Sequence, residues 1–126
     1  MDKKVINTEL APAPIGPYSQ AVSANGMLYV SGQIPIIPAT GALETGDIKA
    51  ETKQVMENLK AVLSEAGINF DHVIKTSIFI SSMGDFGQIN EVYGSYFGEM
   101  PPARETVEVR GLPKNVNVEI SCIAAL

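Results

Sequence analysis

Apolar residues recur along this chain with two different spacings, and the switches between them mark out its elements. Residues 20–23 and 27–31 read as strands around Asn25-Gly26, the dipeptide best suited to the positive φ angles of a tight hairpin turn. Ahead of them Pro12, Pro14 and Pro17 form an extended lead-in, too irregular for a polyproline recognition segment. Behind them Pro35, Pro38 and Gly41 predict a loop with a short extended piece. From Ile48 the period changes: Val55, Met56, Leu59, Val62, Leu63 and Ala66 recur at steps of three and four, and Gly67 stands where a helix ends. This predicts an amphipathic helix packed by one stripe. Residues 73–80, rich in β-branched side chains, predict a strand. A second stripe of Phe86, Ile89, Val92, Tyr93, Tyr96 and Phe97 predicts a second helix. It is opened by Ser82-Met83-Gly84-Asp85, with Asp85 and Gln88 as another cap pair, and stopped by Gly98 and Pro101.

Residues 101–109 and 116–122 alternate with period two, and Gly111-Leu112-Pro113-Lys114-Asn115 between them carries turn residues, so they predict a second hairpin. Val107 and Val109 share one face of the first strand; Val118, Ile120 and Cys122 share one face of the second. Burying both sets turns Arg104, Thr106 and Glu108 away from the core, together with Asn117, Glu119 and Ser121. With the valine faces in register, Thr106 lies opposite Glu119, and Arg104 is a diagonal neighbour of Glu119, about 7–8 Å away between Cα atoms. Read from spacing alone, that pair is a cross-strand salt bridge on a solvated sheet face, worth about 0–1 kcal/mol. The inventory of hairpin, helix, strand, helix and hairpin predicts an α+β domain with two helices on one face of a single sheet. The other face has nothing in the chain to cover it and predicts self-association, with dimer and trimer both open.

Composition narrows the function more than the fold. The chain has 126 residues, 45% of them hydrophobic, which fits one domain. Its net charge is -5 and it has no Lys/Arg run, which weighs against nucleic acid as a principal partner. The one cysteine, Cys122, forms no intrachain disulfide and falls on the predicted core face, where inert burial is expected. No apolar run approaches the roughly 20 residues needed to span a bilayer, and residues 1–7 lack the apolar centre of a signal peptide. A cytoplasmic, reducing setting is the expectation. His72 beside Asp71 has no second His or Cys at ligand spacing, so no metal site is expected. There is no phosphate-cradling glycine loop and no Gly-x-Ser-x-Gly elbow.

The wording of the motifs carries more. Pro-Ala-Arg at 102–104, Val-Glu-Val at 107–109, Leu-Pro-Lys at 112–114 and Val-Glu-Ile at 118–120 resemble the C-terminal signature of the RidA/YjgF family of imine deaminases. Ile15-Gly16-Pro17-Tyr18-Ser19-Gln20-Ala21, Val30-Ser31-Gly32-Gln33-Ile34-Pro35, and Asn58-Leu59-Lys60-Ala61-Val62-Leu63 with Ala66-Gly67 resemble the family's other landmarks, in its order and at its spacing. The resemblance implies a single RidA-like domain over residues 1–126 with a chorismate-mutase-like α+β fold, one mixed sheet carrying two helices on one face. It also implies a homotrimer, sheets inward, with ligand clefts between neighbours. In the family the residue matching Arg104 binds a carboxylate and the residue matching Glu119 is associated with the catalytic water. The positions matching Tyr18, Ser31, Gly32 and Asn90 line the cleft, and the backbone at Thr106 offers an N–H. Taken without the resemblance, Tyr18 reads equally as a loop anchor, Ser31-Gly32 as a strand end and Asn90 as the polar side of the second helix.

The chemistry of the two charged residues agrees with that implication. A guanidinium offers a planar fork of donors that matches a carboxylate, so Arg104 suits a ligand with an acid group. A 2-imino acid sets its carboxylate beside a C=N carbon that becomes electrophilic on protonation, and its hydrolysis needs water there and a proton acceptor such as Glu119. The expected reaction converts 2-iminobutanoate or 2-iminopropanoate, released by pyridoxal-phosphate-dependent dehydratases, to a 2-keto acid and ammonia. It requires no metal or organic cofactor. Tyr18 joins Arg104 and Glu119 as a catalytic candidate on the strength of the resemblance. Two alternatives remain: a non-catalytic trimer that binds small carboxylates as a sensor, and, less in keeping with the acidic balance, a translation-inhibiting ribonuclease. Two positions depart from the family pattern. Glu105 follows Arg104 where a small Ser or Thr is usual, and is expected to compete with a substrate carboxylate for the guanidinium. Thr106 stands where many bacterial members have Cys, a change the backbone contact should tolerate.

Overall fold

A computed structural model describes residues 1–126. The chain runs β1 (Lys4–Ile6), β2 (Ala21–Ala24), β3 (Met27–Gln33), α1 (Ile48–Glu65), β4 (Val73–Ile80), α2 (Phe86–Gly94), β5 (Ala103–Glu108) and β6 (Val118–Ala125). The strands form one sheet in the order β1-β2-β3-β6-β4-β5, antiparallel throughout except for β4 and β5. Both helices lie on one face: Val55, Met56, Leu59, Val62 and Leu63 of α1 and Ile89 and Tyr93 of α2 share one core with Leu28, Ile78, Ile80, Val118 and Ile120 of the strands. The fold is therefore α+β with a mixed sheet and two helices on one side, as expected.

Local chemistry explains the elements that the periods predict. Asn25 and Gly26 between β2 and β3 have φ of 52° and 76°, the left-handed pair that matches the twist of a two-residue hairpin. Asp47 caps α1 by accepting from the Ala50 amide at 2.8 Å. At its other end the Gly67 and Ile68 amides reach back to the carbonyls of Ser64 and Leu63 at 2.9 and 3.0 Å, and Gly67 has φ of 80°. This is the left-handed stop that glycine permits. α2 ends earlier than its stripe predicts, at Gly94; Tyr96 and Phe97 continue to pack on the core from beyond the helix. Ser82 accepts from Gly84 in a short 3₁₀ turn ahead of it, whereas the Asp85 side chain caps nothing. β1 had no signal in the pattern and pairs with β2 at the sheet's edge.

The C-terminal pairing differs from the expected hairpin. β4 lies between β5 and β6, pairing β6 antiparallel and β5 parallel. Strand, helix and strand in succession return the chain in the same direction, so β4, α2 and β5 form a crossover unit. The alternation in 101–122 suggested a turn, but residues 113–115 form a 3₁₀ turn instead, with Lys114 and Asn115 at φ of 55° and 57°.

The faces of β5 are reversed as well. Thr76, Ile78 and Ile80 of β4, all buried, pair with Arg104, Thr106 and Glu108, which puts these three on the helix-covered face. Glu105 and Val107 stand on the bare face beside Ser77 and Phe79, and Val107 is 40% exposed. A one-residue difference in phase flips every side chain of a strand, and β5 has no apolar face strong enough to fix the phase from sequence. The bare face also carries Tyr29, 48% exposed, and half-buried Phe79 and Ile123. No helix of the chain is long and apolar enough to cross a membrane.

Candidate active site

Glu119 takes its position from β6. Its neighbours Val118 and Ile120 are fully buried, so the period of two places Glu119 on the bare face, in register with Phe79 of β4. Opposite it, the pairing of β3 with β6 is irregular between Val30 and Gln33. An extra residue at such a point re-aims the backbone, and here it brings Ser31 and Gly32 against the Glu119 side chain. A Cβ on residue 32 would lie 2.3 Å from Glu119 Oε2 and 2.8 Å from Cδ, so glycine is what leaves room for the carboxylate.

The lead-in supplies the rest of this group. Gln20, almost fully buried, accepts from the Thr8 amide at 2.7 Å and donates to the carbonyls of Thr8, Ala11 and Pro12 at 3.0, 3.3 and 2.9 Å. Ser31 Oγ donates to the Ser19 carbonyl at 2.6 Å. Tyr18, about half exposed, accepts from the Ile15 amide at 3.2 Å through its hydroxyl. Fully buried Asn58 of α1 donates to the carbonyls of Ile34 and Ile36 at 3.1 and 2.9 Å and ties down the loop after β3. The result is an open cavity of about 330 Å³ lined by Tyr18, Ser31, Gly32 and Glu119, with Ile15, Ile34 and Pro113 as its apolar wall. Burial in it raises the Glu119 pKa above the usual carboxylate value. That is the direction expected when a carboxylate leaves water without a cation to replace it.

Arg104 belongs to a second group. From the helix-covered side of edge strand β5 its Nη1 donates to Asn90 Oδ1 at 2.6 Å, and its guanidinium carbon lies 5.5 Å from the centre of the Phe86 ring and 5.1 Å from that of Tyr93. The hydroxyls of Tyr93 and Thr76 are 2.7 Å apart in a hydrogen bond. The chain's ion pairs are Lys49–Glu91 and Lys75–Glu105, both 2.9 Å, so Arg104 has no carboxylate partner. The expected competition from Glu105 does not occur. Glu105 faces the other way, where the Ser77 hydroxyl and then Lys75 hold its carboxyl below the ordinary value. Thr106 shares the face of Arg104; its Oγ1 is buried without a partner.

The candidate residues thus fall into two sets. Tyr18, Ser31, Gly32 and Glu119 come together, and so do Arg104 and Asn90, with Thr106 on the same strand face as Arg104. The structure does not bring Arg104 and Glu119 onto one patch: they stand on opposite faces of the sheet with β4 between their strands. Phe86, Tyr93 and Gln20 are additions that motif reading passed over. The spacing of Phe86, Asn90 and Tyr93, at i, i+4 and i+7 of one helix, is the signal that groups the first two of these with Asn90 around Arg104.

Elsewhere, a larger open groove of about 580 Å³ between α1 and α2 carries Lys49, Lys53 and Glu91. Its Lys49–Glu91 pair is already satisfied within the chain. Cys122 is buried, and burial pushes its thiol up to about 12, far from reactive thiolate. His72 bonds Asn69 in a 3₁₀ turn. No three His, Cys, Asp or Glu side chains gather as metal ligands.

A family model described as Endoribonuclease L-PSP matches residues 8–126. The chain is 45% identical over 122 residues to the 2-iminobutanoate/2-iminopropanoate deaminase of Mus musculus, covering 97% of this chain and 90% of that one. Its structure superposes with a TM-score of 0.97 on a protein of the conserved Rid family from Yersinia pestis, 52% identical, over 99% of this chain and 100% of that one. It superposes with a TM-score of 0.93 on E. coli TdcF with bound serine, 41% identical, over 98% of each chain.

Proposed function

The chain belongs to the Endoribonuclease L-PSP family, the RidA/YjgF proteins, and we propose that it hydrolyses reactive 2-imino acids such as 2-iminobutanoate and 2-iminopropanoate to 2-keto acids and ammonia. The observation that carries this reading is the Glu119 carboxylate: half-buried beside Gly32, in a cavity with Tyr18 and Ser31, and raised in pKa by burial with no cation of its own chain beside it. A carboxyl whose pKa is raised by burial is a stronger base when ionised, and a positioned one can take and return a proton, which hydrolysis of a C=N bond requires.

In the proposed reaction the substrate carboxylate lies on Arg104 and the backbone N–H of Thr106. The protonated imine carbon faces a water held by Glu119, with Tyr18 and Ser31 along the cleft wall. Glu119 takes a proton as the water oxygen bonds to carbon and the C=N electron pair moves to nitrogen. The adduct then collapses: Glu119 returns the proton to nitrogen, the C–N bond breaks as the oxygen lone pair forms the carbonyl, and the hydroxyl proton passes by way of Glu119 to the departing ammonia, which leaves as ammonium. Atoms balance with water as the only co-reactant.

Because Arg104 and Glu119 stand on opposite faces, the complete cleft is assembled from two copies. The Arg104–Asn90 half of one closes on the Glu119–Tyr18 half of its neighbour, in a homotrimer with the bare sheet faces inward. An unneutralised guanidinium, an unneutralised carboxylate and an uncovered face bearing Tyr29, Phe79, Val107 and Ile123 support this arrangement. The buried free thiol of Cys122 suits a reducing compartment, and the cytoplasm is the proposed setting.

The activity for which the mouse relative is named supports the hydrolytic reading. The serine bound by E. coli TdcF supports a second one, a trimer that binds small carboxylates without turnover. An assay that generates 2-iminobutanoate in situ with a dehydratase and follows its loss against a trapping nucleophile decides between them. Acceleration over spontaneous hydrolysis that depends on Glu119 is expected. Keto-acid binding that depends on Arg104, with no acceleration, would leave the second reading. RNA cleavage by the same preparation, retained through purification and in modest salt, would favour the ribonuclease reading.

A further inference from the structure

The side chain of Arg104 is held by neutral groups alone. Asn90 accepts one N–H from Nη1 at 2.6 Å, and the rings of Phe86 and Tyr93 lie 5.5 and 5.1 Å from the guanidinium carbon. These three belong to one face of α2, and they are joined to the sheet. Tyr93 is nearly fully buried and its hydroxyl bonds Thr76, the β4 residue paired with Arg104 in the parallel ladder. The circuit from Arg104 through the ladder to Thr76, up to Tyr93 and back to the guanidinium is closed.

We infer that α2 is a preformed cradle for Arg104, in which Phe86 and Tyr93 are positioning residues that preset the guanidinium to receive a carboxylate. The inference rests on the reading that Arg104 binds the substrate's acid group.

Two physical points favour it. Arginine on an edge strand has many rotamers, and a ligand that must order them loses affinity; ordering the side chain in advance removes that loss from the binding step. A carboxylate could also have held Arg104, but it would have neutralised the charge and occupied the donor fork. Aromatic faces and an amide oxygen attract the cation while leaving its charge and its remaining N–H groups available. Glu105, the one adjacent acid, is turned to the opposite face and tied to Lys75 and Ser77.

The test measures binding of a stable 2-keto acid, 2-oxobutanoate, by calorimetry, alongside KM and kcat for imine turnover. Phe86→Leu keeps an apolar side chain but removes the ring. It should weaken 2-oxobutanoate binding and raise KM by about threefold to tenfold, the range of a surface to partly desolvated cation–π contact, while kcat stays within about twofold because the reacting carbon still faces Glu119. Tyr93→Leu should do the same, and Phe86→Leu carries the test if that core change prevents folding. Repeated in an Arg104→Met background, the Phe86→Leu loss should vanish, since nothing is left to position. Unchanged binding in Phe86→Leu, or an equal loss with Arg104 already removed, would overturn the cradle. So would a wild-type protein that does not bind 2-oxobutanoate. Wild-type binding with the expected variant losses but without imine turnover would support the cradle and remove the hydrolytic reading alone.

Discussion

Arg104 and Glu119, the two charged residues with the strongest claim to chemistry, project from opposite faces of the sheet with β4 between their strands. If one cleft uses both, it uses them from different copies. Arg104→Met and Glu119→Gln homomers should each be severely impaired, whereas co-assembly of the two in equal amounts should restore about a quarter of wild-type turnover, the random-pairing value for a site built across one symmetric interface. A cleft contained in one subunit would give no recovery, because every such cleft would carry one lesion. Activity of the mixture after subunit exchange, with each parent as control, is the measurement.

Glu119→Gln should lower imine turnover by about 10²–10⁴-fold, the contribution of a positioned acid or base, while 2-oxobutanoate still binds. The pH–rate profile carries a second signature. Burial raises the Glu119 pKa, so the acidic limb of the wild-type profile should lie above the ordinary carboxylate range and should be absent from the residual activity of the variant. Stability follows the same linkage. A carboxyl with a folded-state pKa above its unfolded value contributes stability that is present below the unfolded pKa and lost as pH rises through the folded pKa. Ionising the Glu119 carboxyl therefore costs stability, and Glu119→Gln should unfold at a higher denaturant midpoint than wild type at pH 7, with the difference shrinking on acidification. A wild-type rate in the variant would make Glu119 a bystander.

What the sequence made legible was local. Asn25-Gly26 specifies a turn through its own backbone preferences, and Val55, Met56, Leu59, Val62 and Leu63 specify a buried stripe through their spacing alone. The partner of β6 was not legible, because pairing is decided by which distant strand completes the core, and the alternation of 101–122 is compatible with either neighbour. β5 is the sharpest case. Arg104, Glu105, Thr106, Val107 and Glu108 put polar groups on both faces, so period two exists without a sign, and only Thr76, Ile78 and Ile80 of the adjoining strand fix it. The site was legible as identities and not as geometry. The motifs named Tyr18, Ser31, Gly32, Asn90, Arg104, Thr106 and Glu119 as candidates, but their spacing did not show that these fall into two separate sets, one around Glu119 and one around Arg104.

Gly32→Ala tests the contact between β3 and β6. The added Cβ would meet Glu119 Oε2 at 2.3 Å and Cγ at 3.0 Å. Because the obstacle is the end of a flexible side chain, the fold should survive and the carboxylate should swing away. A displacement of about 1 Å can cost on the order of 10²-fold in rate, so turnover should fall on that scale while the thermal midpoint moves little. Equal losses of activity and stability would show that residue 32 supports the sheet and not the placement of Glu119.

Gln20 is the remaining support, and its removal should separate folding of the core from order in the lead-in. One side chain serves both the amide and the carbonyl of Thr8 and the carbonyls of Ala11 and Pro12. Gln20→Leu keeps comparable volume in a buried place but leaves those backbone groups unpaired, at about 1–3 kcal/mol for each that stays buried. The segment can escape most of that cost by detaching into water, since every residue from 8 to 18 except buried Ala11 is at least partly solvated. Detachment frees Tyr18 from the cavity and takes away the Ser19 carbonyl that Ser31 Oγ donates to. Limited proteolysis should therefore cut the variant within 8–18 well before wild type, with the α1 and α2 core still protected. Turnover should fall along with that protection, and a second change at Tyr18 should then have little further effect, because the two act through one loop. A variant that resists proteolysis like wild type would mean that the lead-in is held by packing and that the Gln20 bonds are incidental to the site.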